Sequence, residues 1–165
     1  MRKSIIFISA VTLLLVSCGG KATTDSMTPE EIVRQTLGSP NKACVDKYLP
    51  KTKSKMAEAD KLKASGNEER SKKAESEAVE IFKTEESSYN QQVDSVNAQN
   101  SRYEETVTRK NNISSHPGAA KSSKWKQIQT KVDNHLSKSK AAMSECDAAK
   151  AKSELDASNV LLAEM

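Results

Sequence analysis

The stretch from Glu68 to Lys110, EERSKKAESEAVEIFKTEESSYNQQVDSVNAQNSRYEETVTRK, contains neither proline nor glycine, and its pattern decides the fold. Phe82, Tyr89, Val96 and Tyr103 recur every seven residues, while Val79, Val93 and Val107 take the accompanying position. Glu86 and Asn100 interrupt that second row. A seven-residue apolar repeat marks helices that pack along a common seam. The stretch therefore predicts one long helix with a coiled-coil-like contact face broken by polar residues. On its outer surface, Glu68–Lys72, Glu69–Lys73 and Glu105–Arg109 have the acid-first spacing that favours ion pairs.

Working outward, the long helix needs neighbours to cover its seam. Upstream, ASGNEER marks a reversal, with Gly66 suited to a left-handed helix end and Asn67 to a cap. A helical segment precedes it from about Asn41 to Ser65, strained at Pro50, where the proline can restart it. Val45, Leu49, Met56, Ala59 and Leu62 lie on roughly one of its faces. Before that, TPEEIVRQTLG reads as a short helix: Thr28 caps, Pro29 suits the first position, Glu31 completes a capping box and Gly38 stops it. Glu30 and Arg34 are spaced for a surface pair. Downstream, NNISSHPGAAKSS ends the long helix, and a last helix is expected from about Ser123 to Ala163. Trp125, Ile128, Val132, Leu136, Met143 and Cys146 form its apolar stripe.

Composition agrees with helices. Aromatics are 4% of the 165 residues, and lysine, glutamate, serine and alanine dominate, which suits exposed helices better than sheets. The expected fold is all-α: an elongated antiparallel three-helix bundle, or long helical hairpin, with coiled-coil-like packing plus a short N-terminal helix. ADKLKASGNEERSKKAESEAVEIF loosely resembles the helix-turn-helix unit of repeat proteins, but no second copy at a regular period is visible, and a solenoid needs at least about three.

The first residues carry a different message. MRKSIIFISAVTLLLVSC has a positive front at Arg2 and Lys3, an apolar block from Ile5 to Val16, and a small-residue close. The block is shorter than the ~20 residues a permanent membrane span requires and has the layout of a secretory signal peptide. Leu15-Val16-Ser17-Cys18 resembles the lipobox of bacterial lipoproteins. That resemblance implies cleavage before Cys18, a diacylglyceryl group on its thiol and acylation of its new amine. It also implies a lipid-anchored location, with the outer membrane favoured in a Gram-negative cell because Gly19 stands where aspartate commonly signals inner-membrane retention. The organisation is then a signal peptide at 1–17, a flexible tether at 18–27 and a helical domain at 28–165. Of the 26 basic residues, Arg2 and Lys3 fall in the signal peptide, leaving 24 against 22 acidic ones. That near-balance gives no reason to expect a nucleic-acid partner.

Two cysteines remain, Cys44 and Cys146, an even pair for which export makes a disulfide the default. Helix levels offer a check. Folding back about Gly66 sets Cys44 level with Ser88, and folding back about Pro117 sets Cys146 level with the same residue. Continuing that bookkeeping, Ile32, Val33 and Leu37 would cover the distal half of the hairpin, so the tether would join near the His116-Pro117-Gly118 tip.

The sequence offers little chemistry. Acids are spread as solvated helix partners, Ser87 and Ser88 lack a nucleophile elbow, and neither His116 nor His135 has a ligand partner at metal-binding spacing. No catalytic residue, metal or cofactor is expected. One surface stands out: Lys121, Lys124, Lys126 and Lys131 surround Trp125, the only tryptophan. The plainer reading packs Trp125 at the bundle tip with the lysines facing water, while the alternative is a contact for anionic lipid or an acidic polymer. The leading expectation is a non-enzymatic envelope lipoprotein, anchored to membrane through Cys18 and engaging a protein partner. The alternatives are a small inhibitor or immunity-type lipoprotein acting through the 111–122 loop, or contact through the Trp125 patch.

Overall fold

The computed structural model describes residues 27–165, which form an all-helical bundle without strands among those residues. Six helices follow one another: α1 (Pro29–Leu37), α2 (Lys42–Tyr48), α3 (Pro50–Ala64), α4 (Glu68–Ser114), α5 (Ser123–Ser144) and α6 (Ala148–Ala163). At 47 residues, α4 is a spine about 70 Å long. Its seam packs as the heptads require, with Val79, Phe82, Tyr89 and Val96 buried and Val93, Tyr103 and Val107 half-buried.

The spine forms one helical hairpin with α3 and carries a second, α5–α6, and each half has its own core. One core gathers Val33, Leu49, Met56, Ala59, Ala78 and Phe82 from α1 to α4 and reaches Cys146. The other gathers Trp125, Ile128, Val132, Leu136, Leu155 and Leu162 from α5 and α6, packed against Tyr103 and Val107 of the spine. α3 runs antiparallel to α4, since Lys55 meets Glu77 at 2.6 Å and the Ser71 hydroxyl donates to the Ala59 carbonyl at 2.9 Å. α5 is antiparallel too, with Lys110 meeting Asp133 at 2.8 Å. α6 runs parallel to α4: Arg102 meets Asp156, and one turn further Asn159 donates to Thr106 at 3.1 Å.

The expected continuous last helix, Ser123 to Ala163, is instead two helices folded against each other. The break falls at Cys146, whose backbone adopts a left-handed conformation with φ 54°. The Cys146 N–H donates to Met143 and the Asp147 N–H to Ala142, closing a helix-ending turn that satisfies the last carbonyls of α5. Asp147 then caps α6 by accepting from the Lys150 N–H at 3.0 Å. The turn at Gly66, φ 77°, uses the same pair of bonds, from Gly66 to Lys63 and from Asn67 to Leu62. The serine-to-carbonyl bond recurs as well: Ser139 donates to Ala151 at 3.2 Å, as Ser71 does to Ala59. The helical hairpin is thus a repeated unit after all, present twice.

Upstream, the capping box forms as expected: the Glu31 N–H donates to the Thr28 hydroxyl and the Thr28 N–H to the Glu31 carboxylate. The helical segment restarts at Pro50 as read from the sequence, dividing at Leu49, whose side chain is fully buried. Pro50 opens α3, and the cap comes from a distance. Glu85 of the spine accepts from the Thr52 N–H at 3.1 Å and from the Thr52 hydroxyl at 2.7 Å. α1 does not cover the distal half. It reverses at Ser39-Pro40-Asn41 and lies at the Gly66 end, where Arg34 binds Asp60 at 2.9 Å and Glu75 at 2.6 Å. A proline that removes a donor and restricts Ser39 turns the chain back, and two acids beside the turn hold α1 there. Arg34 consequently leaves Glu30, and the three spine pairs expected on the outer face do not close. Exposed pairs of that kind gain little, and for Arg34 the cross-helix partners win.

Candidate functional site

Cys44 and Cys146 come together. Their sulfurs are at disulfide distance and the Cα atoms are 5.1 Å apart. Both are buried and belong to the core that gathers α1 to α4. The pair sits at the waist of the molecule, joining α2 of one half to the α5–α6 turn of the other. The Lys47 ammonium also reaches the Cys146 carbonyl, at 3.4 Å.

Cys18, the expected signal peptide at 1–17 and the expected tether as far as residue 26 lie outside the described residues. The N-terminal end of the described chain is nevertheless informative. Thr28 starts α1, and α1 sits beside the Gly66 turn, so the chain joins the bundle at one end of the spine. The 111–122 connection caps the opposite end. This reverses the expectation that the tether would join near His116-Pro117-Gly118.

Of the two readings of the Trp125 run, the structure has the packed one, with the tryptophan inside and the lysines facing water, and a surface-contact role for Trp125 itself is overturned. Trp125 is 2% exposed and packs with Ala119, Ile128 and Leu162, so it is a core residue and not a surface contact. It lies in the first turn of α5, where the Ser122 hydroxyl caps by accepting the Trp125 N–H at 3.1 Å. Its periodic apolar neighbours bury the ring, while Lys121, Lys124, Lys126 and Lys131 remain exposed around it. Lys124 also donates to the Glu164 carbonyl at 3.0 Å, tying α5 to the end of α6.

The same end holds a cleft of about 570 Å³ that the sequence did not signal as a pocket. Arg109, Asn112 and Ile113 come from the spine, His116, Gly118 and Ala119 from the connection, and Leu162 and Met165 from the end of α6. His116 turns back to accept the Gly118 N–H at 3.3 Å, which braces the connection. The only available sequence signal was the cationic run around Trp125 together with the turn residues before it.

Charged ties elsewhere are structural. The Asp156 carboxyl is held below its usual range by Lys152 and then by Arg102. Glu77 is lowered by Lys55, and Lys55 is raised in turn by Glu77 and Glu58. Arg34 is raised by Asp60 and Glu75. His135 contacts Glu154 at 2.6 Å across the α5–α6 hairpin. Among the described residues no group of three or more metal-ligating side chains gathers, and no helix is long and apolar enough to cross a membrane. The chain matches no protein-family model, no curated protein and no solved structure.

Proposed function

We propose that the protein is a bacterial envelope lipoprotein, held by acyl chains on Cys18, whose helical rod carries a non-enzymatic binding tip away from the membrane. The observation that supports this reading is the placement of the two ends. α1 lies beside the Gly66 turn, while the 111–122 connection and its cleft occupy the far end of a 47-residue spine. Residues 18–27 can span at most about 35 Å fully extended, whereas the spine extends about 70 Å. A short leash at one end and an open cleft at the other suit a spacer that presents its tip to an envelope partner. Export also accounts for the paired cysteines, since oxidising compartments favour the bridge.

Intact and peptide mass analysis of the protein extracted from membranes tests the anchor. The expected result is a chain beginning at Cys18, carrying acyl groups there, with Cys44 linked to Cys146. A membrane-free chain that retains Met1 and an unmodified Cys18 would overturn it. The inhibitor or immunity reading places its activity on the same tip, because the 111–122 loop lines the cleft. Shortening that loop should then abolish protection while leaving helicity unchanged.

A further inference from the structure

We infer that the cleft at the free tip docks a short acidic peptide segment of a protein partner, one that carries an apolar side chain beside its carboxylates. The inference deepens the proposed function and rests on that reading for where the partner is met. The cleft is within the size range of ligand pockets. Buried Leu162 and half-buried Ile113 give it an apolar floor, and exposed Arg109 and His116 stand at its edge.

Charge selects the occupant. From Thr106 to Val132 the chain holds six basic residues and no acidic one. Lys110 is occupied by Asp133, but Arg109, Lys121, Lys126 and Lys131 have no ion-pair partner among the described residues. The acids bordering this end, Glu104, Glu105, Asp133, Glu164 and the terminal carboxylate of Met165, number five against those six cations. Such a surface attracts carboxylates, and a free guanidinium can hold one through two parallel hydrogen bonds. An apolar floor beside Arg109, the lysine or arginine that lines the cleft itself, adds a requirement that free phosphate and an acidic polymer do not meet. A bilayer fits less well, because Trp125 is enclosed in the core and Tyr103 packs against that core, leaving neither to seat at an interface.

Trp125 supplies the readout. It is the only tryptophan, and it packs with Ala119 and Leu162, both of which line the cleft. The expressed full-length chain in nonionic detergent is titrated with pentapeptides that combine two glutamates with leucine, phenylalanine or alanine. Parallel titrations use the same peptides with glutamine for glutamate, sodium phosphate, and phosphatidylglycerol–phosphatidylcholine vesicles. The acidic peptides should shift Trp125 emission saturably, with the glutamine set at least about tenfold weaker. Arg109→Gln and Ile113→Ser should each weaken binding about tenfold, while Lys61→Gln at the opposite end leaves it unchanged. Arg109 and Ile113 are not buried, and far-ultraviolet circular dichroism checks that both variants fold. No saturable shift, equal binding by both peptide sets, or tighter binding of phosphate or vesicles would overturn the inference. An unacylated Cys18 would sink the anchored rod and leave this titration intact, whereas a silent titration would sink the cleft alone.

Discussion

The two helical hairpins share a turn and differ in what lies outside it. At Gly66 the turn is exposed at the end of the rod, and an added Cβ would meet nothing within 4 Å. At Cys146 the same left-handed position is fully buried, pressed against the waist beside α2. Glycine is the residue a left-handed turn prefers, because a Cβ there costs about 1–2 kcal/mol. The second hairpin accepts that cost and places a thiol against Cys44. A turn at a free end answers only to its own backbone, whereas a turn at an interface also answers to its neighbour. The backbone hydrogen bonds are common to both; the side chain records the surroundings.

The largest expected effect comes from removing that neighbour. The bridge closes a separation of 102 residues. The chain-entropy treatment gives about 4.7 kcal/mol for a loop of that order, and measured values often fall below it. Cys44→Ala with Cys146→Ala should lower stability in urea by about 3–5 kcal/mol. A loss below about 1 kcal/mol would mean that the waist holds without sulfur. Next in size is the turn itself. On the background lacking Cys44, glycine at Cys146 should be about 1 kcal/mol more stable than alanine there, and Gly66→Ala should cost about 1–2 kcal/mol. Equal stabilities would show that the left-handed geometry is not retained once the bridge is gone.

A smaller contrast lies inside the hairpins. Ala78 in the first and Ser158 in the second are both fully buried, yet the Ser158 hydroxyl has no hydrogen-bond partner. Ser158→Ala should stabilise the protein by about 1 kcal/mol, because it removes a buried, unpaired oxygen. A destabilised variant would mean that the hydroxyl has a partner in solution. The smallest effect is electrostatic and separates the halves by pH. The Asp156 carboxyl is lowered by Lys152 and Arg102, so its contribution is present above its unfolded value and lost as pH falls through the folded one. Asp156→Asn should therefore narrow the gap in urea midpoint between about pH 7 and about pH 3. An unchanged gap would assign acid sensitivity to Glu77 and the first hairpin.

Much of this was readable from residue patterns. The heptads placed the spine, Thr28 to Glu31 spelled a capping box, Gly66 marked a reversal, and helix levels brought Cys44 and Cys146 to one height. The break at Cys146 was hidden because a left-handed cysteine has no glycine to announce it. The apolar stripe through Met143 and Cys146 also suggested continuity, leaving Asp147 as a faint cap signal. α1 was misplaced because counting levels gives distance along a helix and not the direction taken after Pro40. The second hairpin went unseen because its small residues exchange sides: serine sits on α4 in one copy and on α5 in the other. The cleft was invisible because its walls come from three segments that only tertiary packing unites.

The cap that Glu85 supplies to α3 has one more consequence. A seam that repeats every seven residues is nearly indifferent to sliding by one heptad, since each large side chain finds a similar socket one step along. Such a slip would bring Ala78 or Gln92 opposite the start of α3, and neither carries a carboxylate for Thr52. Glu85 therefore acts as an index pin at the far end of α3, joining the Gly66 turn, the Ser71–Ala59 hydrogen bond and the Lys55–Glu77 pair in holding one register.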